Sequence, residues 1–457
     1  MTSMTSSIRP KYALFTLLFL TVAVGAAGSA IAATYHVDWD TGQDAPGRGS
    51  EQNPWKTPWY AAGQVGPGDT VIIHAKDDGS VYFNDGKPVL PLGTPNTTWK
   101  AARGEKVWLS LTNDRTTSYW KANGKGGTTV SIHADHVTLD GFYVWGSVSV
   151  SHQGDGALIV NCDLSGGPDY QGFPAALRLS GENGGNWDVP DGVTIRNCRI
   201  HDNLKAFEQG PNNDSALLIY SSRNTTVEYC EFYNTLLHAI QIKARSDKET
   251  IRFNYFHDVP SAIEGGSSGP KDWVRIHNNV FVNAGAGVGP HQSAPNGFFV
   301  YNNTFINCRR DIYWWFSGGR LSFFNNIHYH ADGGGNYQRI DEKWNAGLYT
   351  YQNHNDYFTA SGSTRWYMNY ADRASDLASW QAYLKAEGAG PEAGEQNSKS
   401  YDPGFVNASG KFEKPEDFKR KTYPKDGRGG EWPAVMGAYV TGDETVGPLP
   451  RRPASGT

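Results

Sequence analysis

The chain has 457 residues, a formal net charge of −5, and 53 glycines, 15 tryptophans and 24 tyrosines. Its basic residues are scattered along the sequence, which argues against a nucleic-acid-binding surface. Four cysteines in a chain of this length are too few for a disulfide scaffold. Glycines suit tight turns, and aromatic residues suit strands and sugar-stacking surfaces. The composition therefore indicates a turn-rich β protein.

The first residues have the pattern of a secretory signal peptide. Arg9 and Lys11 precede an apolar run that ends in the small residues Ala30-Ile31-Ala32. A basic start, an apolar centre and an A-x-A end are typical of such signals. A retained membrane anchor is the alternative, but glycines interrupt the run and favour cleavage. We therefore predict a signal peptide at residues 1–33, a secreted or periplasmic location, and no membrane contact after cleavage.

A repeat occupies the middle of the chain. Each copy is a short strand pattern followed by Cys or Asn, one variable residue, an apolar residue and often Asn or Asp. The copies are ALIVNCDLSG, VTIRNCRIHD, TTVEYCEFYN, ETIRFNYFHD, VRIHNNVFVN, FFVYNNTFIN and LSFFNNIHYH. The aligned column is Cys162, Cys198, Cys230, Asn254, Asn279, Asn303 and Asn326, with spacings of 36, 32, 24, 25, 24 and 23 by subtraction. This period is too short for a propeller blade and fits one coil of a parallel β-helix.

The aligned column predicts a ladder inside the coils. Coils of a β-helix stack at the strand spacing of ~4.8 Å, so that like residues lie on like. Stacked Asn side chains can satisfy turn groups that would otherwise be buried and unpaired. Cysteine is among the most buried residue types and can occupy the same position. We expect a stack of buried thiols; a Cys162–Cys198 or Cys198–Cys230 disulfide is the alternative for an exported protein.

Caps are expected at both ends, because a solenoid must cover its terminal coils. A short helix is predicted around Pro58 to Ala62, and Ser375 is predicted to cap a C-terminal helix. The predicted single domain comprises an N-terminal cap at 34–130, coils at 131–330 and a C-terminal cap at 331–446, followed by a flexible tail at 447–457.

Three parts of the sequence resemble bacterial secreted right-handed β-helix proteins. They are the front YHVDWDTGQDAPGRGSEQNPWKT…GPGDTVIIHA, the coils with N-N-x-F, and LASWQAYLKAEG…DPGF. The resemblance covers nearly the whole chain after the signal peptide, and it implies an all-β, right-handed parallel β-helix. Such proteins are mostly carbohydrate-active enzymes, with many polysaccharide lyases among them, although one solenoid fold hosts several activities.

A second set of short strands lies between the ladder strands. We align residues 176–180, 216–220, 239–243, 262–266, 287–291 and 311–315 on the apolar residue in second place. Alternation sends that residue inward and creates two outward columns. The columns are Arg178, Leu218, Gln241, Glu264, Gly289, Tyr313 and Ser180, Tyr220, Lys243, Gly266, His291, Trp315. Their concentration of charged and aromatic residues predicts a functional groove, whereas a solvated face would carry mixed Lys, Glu, Thr and Ser.

One coil, IQIKARSDKETIRFNYFHD, is similar to the catalytic coil of family 6 polysaccharide lyases, the alginate lyase and chondroitinase B group. In that group a base lysine ends a strand in an I/V-K-S context, which Lys243 matches. The group then carries an arginine in an L-R-H-G strand one coil later. This sequence has Glu264 in that strand instead.

These residues suggest β-elimination from a uronate, which removes the C5 proton, expels the O4 oxygen and neutralises the carboxylate. Lys243 is predicted to be the base, with its pKa lowered by neighbouring cations. Tyr220 is predicted to be the acid or a second base. Arg245 or Arg178 is predicted to neutralise the carboxylate. The predicted substrate-binding residues are Arg178, Gln241, Glu264, His291, Arg310, Tyr313 and Trp315.

The sequence thus predicts a monomeric polysaccharide lyase that acts on an acidic polysaccharide such as alginate. A glycoside hydrolase that uses Glu264 and Asp311 is one alternative. A uronan C5-epimerase and a non-catalytic glycan-binding solenoid are the others. No metal ligands are assigned and no cofactor is expected, with calcium left open.

Overall fold

The structure is a computed structural model and describes residues 32–115, 127–166, 175–181, 188–203, 215–265, 272–289, 297–314, 320–341, 349–407 and 412–449. Within these ranges the chain passes in turn through three sheets, here called A, B and C, and then begins the next coil. Strands pair in parallel with the corresponding strands of the neighbouring coils, except at the end of sheet C, where Ala371–Ala374 pairs antiparallel with Arg365–Met368. The fold is therefore a right-handed parallel β-helix, as the sequence predicts.

The described residues form twelve strands in sheet A, eleven in sheet B and twelve in sheet C. Sheet A comprises Thr34–Val37, Thr70–Ile73, Thr98–Ala101, Thr138–Asp140, Leu158–Val160, Thr194–Arg196, Thr226–Glu228, Glu249–Arg252, Val274–His277, Phe298–Tyr301, Leu321–Phe324 and Tyr349–Asn353. Sheet B comprises Tyr82–Phe83, Trp108–Ser110, Tyr143–Trp145, Asp163–Gly166, Arg199–Asn203, Glu231–Tyr233, Tyr255–His257, Val280–Val282, Thr304–Ile306, Ile327–His330 and Asp356–Thr359. Sheet C comprises Leu90–Leu92, Val130–Ile132, Val148–Ser151, Ala175–Ser180, Ser215–Tyr220, His238–Lys243, Ser261–Gly265, Val288–Gly289, Arg310–Trp314, Asn336–Ile340, Arg365–Met368 and Ala371–Ala374.

The core lies inside the coils and is built from stacked columns of like residues. In sheet C, one buried column contains Leu177, Leu217, Ile240, Ile263, Val288 and Ile312. In sheet B, a column of rings contains Phe232, Phe256, Phe281, Phe305, His328 and Tyr357, with successive centroids 4.7–5.0 Å apart. Stacked aromatic pairs of this kind contribute roughly 0.5–1.5 kcal/mol each beyond the area that they bury.

The turn from sheet A to sheet B carries the predicted asparagine ladder. Asn254 donates from Nδ2 to Oδ1 of Asn279 at 3.0 Å, and Asn279 donates in the same way to Asn303 at 3.0 Å. The ladder continues through Asn326 to Asn355 with contacts of 3.1 Å. The prediction is confirmed, and Asn355 extends the ladder one coil beyond the predicted column.

The cysteines lie where the ladder predicts them. Cys162, Cys198 and Cys230 are buried free thiols in the same turn, and Cys308 is also buried and free. The three thiols lie within reach of the sheet A carbonyl two residues earlier, with Sγ to O distances of 3.3 Å. The expected thiol stack is therefore confirmed in place of a disulfide.

The coils extend further in both directions than the sequence repeat indicates. Strands of all three sheets occur before residue 130 and continue to Met368. Tyr143 pairs with Asp163, so Phe142 occupies the ladder position of Cys162 in the preceding coil. An apolar residue there breaks the Cys/Asn signature without breaking the fold, because it still points into the core.

Two α-helices and a 3₁₀ helix are described outside the coils. The helix Pro58–Ala62 is capped by Thr57, and the helix Leu377–Ala386 is followed later by the 3₁₀ helix Pro415–Phe418. The cap of Leu377–Ala386 is Asp376, which accepts a bond from the Ser379 amide, so the predicted Ser375 cap is wrong by one residue. In the part of the chain that the structure describes, no helix is both long and apolar enough to span a membrane.

The C-terminal segment, residues 433–449, returns along the outside of the A-to-B turns. Asn278, Asn302 and Asn325 donate from Nδ2 to the carbonyls of Ala438, Val435 and Pro433 at 2.9, 2.6 and 2.7 Å. Further along, the Gly447 amide donates to the Phe253 carbonyl at 2.8 Å and the Leu449 amide donates to Asn197 Oδ1 at 2.5 Å. Residues 447–449, predicted as flexible tail, are thus held by hydrogen bonds, and the rest of that tail lies outside the described residues.

Replacing Asn303 by Ala should lower the free energy of unfolding by about 2–4 kcal/mol, because the change leaves several buried ladder groups unpaired. Asn303 is fully buried and bonded to both neighbouring rungs. The midpoint of urea unfolding measures the loss. Asn53→Ala, at an exposed position, should change stability by less than about 0.5 kcal/mol. Equal effects of the two changes would contradict the stabilising role of the ladder.

Candidate active site

The outward face of sheet C brings the predicted groove residues into two columns. The Cα register pairs Arg178 with Leu218, Leu218 with Gln241, and Gln241 with Glu264. The same register pairs Ser180 with Tyr220 and Tyr220 with Lys243. The alignment made from the sequence is therefore the alignment of the structure over these coils.

Lys243 is the last residue of the strand His238–Lys243 and projects from the outward face. Ile240 and Ile242, on the opposite face of the strand, are fully buried. Ala244 follows with φ of +57°, so the extended backbone ends at the lysine. Burial lowers the pKa of Lys243, and the charge of Glu264 opposes that lowering. The cause that lowers this pKa is desolvation and not, as expected from the sequence, neighbouring cations.

Tyr220 and Arg178 lie on the same face, one and two strands from Lys243. Tyr220 is the direct Cα partner of Lys243. The Arg178 guanidinium carbon is 5.9 Å from the centroid of the Tyr220 ring. Its Nη2 also donates to Ser180 Oγ at 3.1 Å. A cation, a phenol and an amine thus follow one another along about two strand spacings, roughly 10 Å.

Glu264 lies one strand further along and makes a contact that the sequence did not indicate. Its Oε2 is 2.7 Å from Nδ1 of His238, which is only 5% exposed. His238 is the first residue of the strand His238–Lys243. The alignment of His238 with Ser215 and Ser261 could have indicated that His238 belongs to the strand, because those serines begin the neighbouring strands.

Two predicted site residues are wrong, because the structure places them in the protein interior. Gln241 is 1% exposed and accepts a hydrogen bond from Ser215 Oγ at 3.1 Å, so it does not line an open surface. Asp311 is 0% exposed, and its Oδ2 contacts His328 Nδ1 at 2.8 Å and His330 Nε2 at 3.1 Å. The hydrolase alternative that uses Glu264 and Asp311 as its two carboxylates is therefore not supported, because Asp311 is fully buried.

Three other predicted residues are not placed beside Lys243 by the described structure. Arg245 is exposed in the turn after the strand, where its amide donates to Ser221 Oγ at 3.4 Å. Because the strand ends at Lys243, the alternation of side chains does not continue to Arg245 and does not place it on the same face. His291 and Trp315 lie outside the described residues.

The upper coils of sheet C carry arginines and tyrosines in close contact. The Arg310 guanidinium carbon is 4.5 Å from the Tyr313 ring centroid. Arg339 is the Cα partner of Tyr313 and also of Tyr367 in the next strand. Arg310 and Tyr313 were predicted to bind substrate, whereas Arg339 and Tyr367 were missed. Their strands follow the last copy of the sequence repeat, so no pattern marked their outward positions.

A second group of titratable side chains lies on sheet B. The rings of His201, Tyr233 and His257 stack with centroids 4.5 and 5.1 Å apart. His201 Nε2 is 3.0 Å from Asp163 Oδ1, and His257 Nε2 is 3.3 Å from Glu231 Oε1. Burial would lower the pKa of His201, but the neighbouring carboxylates raise it above its ordinary value. These groups satisfy one another across the coils, so we interpret them as part of the repeat.

No three His, Cys, Asp or Glu side chains are grouped closely enough to hold a metal ion among the residues that the structure describes. The expectation that no cofactor is needed, with calcium left open, stays a prediction.

The three parallel sheets define the class of the protein as a right-handed parallel β-helix. Residues 127–326 match the family model described as the right handed beta helix region. A search of curated proteins found no match to the sequence.

Solved structures with a similar fold include polysaccharide lyases. A rhamnogalacturonan lyase is 12% identical with a TM-score of 0.50, over 71% of this chain and 87% of its own. Pectate lyase Pel9A is 15% identical with a TM-score of 0.49, over 90% of this chain and 97% of its own. A structure of XylC with xylose is 13% identical with a TM-score of 0.46, over 74% of this chain and 86% of its own. At these identities the likeness concerns the fold alone.

Replacing Glu264 by Gln should lower the pKa of Lys243 further, because the carboxylate stabilises the charged ammonium. The pH dependence of Lys243 acetylation, followed by mass spectrometry of its peptide, measures that pKa. Glu231→Gln, on sheet B, should leave the Lys243 pKa unchanged. A higher Lys243 pKa in Glu264→Gln would contradict the electrostatic coupling of these two side chains.

Proposed function

We propose that the protein is a polysaccharide lyase that cleaves a uronate-containing polysaccharide, such as alginate, by β-elimination. The observation that carries the proposal is Lys243, held on a rigid strand with its pKa lowered by burial and with Tyr220 in register beside it. A lower pKa increases the neutral amine fraction near neutral pH, and only the neutral amine can accept a proton. A lysine that merely solvated the strand end would stay charged.

The proposed reaction uses the residues of this face in distinct roles. The neutral Lys243 amine removes the C5 proton beside the uronate carboxylate. The electron pair left on C5 forms the C4–C5 double bond as the C4–O4 bond breaks. Tyr220, about 4.8 Å away across one strand spacing, donates the proton that the leaving oxygen takes. Arg178 neutralises the carboxylate, which makes the C5 proton more acidic.

The wider assignments belong to the same proposal. The protein acts as a secreted or periplasmic monomer after cleavage of residues 1–33, on an acidic polysaccharide, with no cofactor assigned and calcium left open. A C5-epimerase would begin with the same proton removal but would return a proton to C5 without breaking the C4–O4 bond. A glycan-binding solenoid would not need a lysine of lowered pKa.

A panel of uronate polymers tests the reaction, with ultraviolet absorbance of the unsaturated product and new reducing ends as the two readouts. The wild type should generate both signals together. Reducing ends without the absorbance would overturn the lyase proposal in favour of hydrolysis. Sugar isomerisation without new ends would overturn it in favour of epimerisation.

Replacing Lys243 by Ala should reduce kcat about 10²- to 10⁴-fold, the usual contribution of a general base. Lys248→Ala is the matched control, because Lys248 is an exposed lysine in the following turn. That variant should keep its activity. Unsaturated product formed by Lys243→Ala at the wild-type rate would mean that the reaction is right and the assigned base is wrong.

A further inference from the structure

The outward column that contains Glu264 continues into a part of sheet C that the proposed reaction does not use. Glu264 pairs with Gly289, which carries no side chain. Beyond it, Tyr313 pairs with Arg339, and Arg339 pairs with Tyr367. A tyrosine, an arginine and a tyrosine thus follow one another on three neighbouring strands.

The two tyrosines hold the Arg339 guanidinium between them. Its carbon is 4.8 Å from the Tyr367 ring centroid and 5.9 Å from the Tyr313 ring centroid. An arginine stacked on aromatic faces stays planar and loses little further freedom when its N–H groups bind a carboxylate in two parallel hydrogen bonds. The Arg339 side chain is 33% exposed, so a ligand can reach it.

The local charge favours an anion. Arg339 Nε contacts Asp341 Oδ1 at 3.3 Å, which uses one of the five guanidinium N–H groups and helps to orient the rest. Arg310 adds a second guanidinium, 4.5 Å from the same Tyr313 ring. Burial is the main cause that lowers the pKa of Arg310; the charges of Arg339 and Arg309 lower it as well, whereas Tyr313 and Asp341 oppose them. Tyrosine faces beside such cations suit a pyranose ring that bears a carboxylate.

The distance from the base sets the length of ligand that reaches both places. Lys243 and Arg339 lie on strands separated by four steps of sheet C, which correspond to roughly 19 Å. A pyranose residue in an extended chain advances by about one such step. A chain that places one uronate at Lys243 must therefore be about five residues long to place another at Arg339.

We propose that Arg339, stacked between Tyr313 and Tyr367 and assisted by Arg310, forms a distal subsite for a uronate carboxylate of the same polysaccharide chain. The subsite rests on the proposed function, because it assumes that Lys243 acts on that chain. It makes efficient cleavage depend on chain length and fixes the direction in which the polymer lies along sheet C.

Oligouronates of graded length, from disaccharide to octasaccharide, test the subsite. Arg339→Gln should lower kcat/KM about 10- to 100-fold for chains long enough to reach it, the loss expected for a charge-assisted hydrogen-bonded pair. The loss should be in KM, with kcat unchanged, because the contact binds substrate and transition state alike. Di- and trisaccharides should be unaffected. An equal loss at every length would overturn the subsite in favour of a structural role.

Two further variants serve as controls. Arg339→Lys keeps the positive charge but loses the planar guanidinium that binds a carboxylate through two hydrogen bonds. Its kcat/KM for long chains should therefore lie between those of the wild type and Arg339→Gln. Arg365→Gln removes an exposed arginine of the next strand that pairs with Asp372, and it should leave the length dependence unchanged. A length effect as large in Arg365→Gln as in Arg339→Gln would overturn the assignment to Arg339.

Calorimetric binding separates failure of the subsite from failure of the proposed function. If the wild type cleaves none of the polymers but binds long oligouronates more tightly than Arg339→Gln does, the subsite stands and the lyase proposal fails. If the wild type and Arg339→Gln bind every oligouronate equally, or if neither binds any, the subsite is overturned.

Discussion

The hydrogen-bonded stacking of the A-to-B turns is the interaction on which the rest of the structure depends. Each buried ladder amide bonds to the turn above it, as Asn279 does to Asn303. An unpaired amide inside the coil would cost free energy, so a shift of one coil against the next is unfavourable. The ladder therefore contributes to the register of all three sheets, because the turn precedes sheets B and C in every coil.

That register places Lys243, which is a weak signal in the sequence alone, among the side chains of a candidate active site. On an isolated strand Lys243 would be a solvated charge. In the solenoid it lies beside Tyr220 in one coil, and Glu264 lies in the next. The surrounding coils bury part of the amine and lower its pKa, while Glu264 limits the effect. The same geometry that stabilises the fold thus supplies both the alignment and the desolvation that the proposed role of Lys243 as a base needs.

The sequence predicted the parts of the fold that repeat and missed those that depend on non-local packing. The spacing of Cys162 to Asn326 placed the ladder and the middle coils, and alternation in the strands between them placed the outward columns as far as Glu264. It could not reveal that Gln241 is buried and bonded to Ser215 Oγ of the neighbouring coil, because strand alternation does not show which outward positions are covered. It also could not reveal Arg339, because the strand Asn336–Ile340 places Gln338 inward and so lacks apolar alternation. Gln338 is tolerated there because Tyr349 and Gln352 donate to its amide oxygen.

The paired asparagines of the repeat have a physical explanation that joins the fold to its C-terminal segment. The second asparagine of each pair, as in Asn302-Asn303, belongs to the ladder. The first has φ of +52° at Asn302, a left-handed conformation that asparagine adopts more readily than most residues. That conformation allows a sharp turn and directs its amide toward residues 433–438, which accept hydrogen bonds from three such turns. One dipeptide therefore bonds the coils to each other on the inside and bonds the returning chain on the outside. The C-terminal coils, which include the strand of Arg339, are thereby stabilised by hydrogen bonds on both the inner and the outer side of the A-to-B turn.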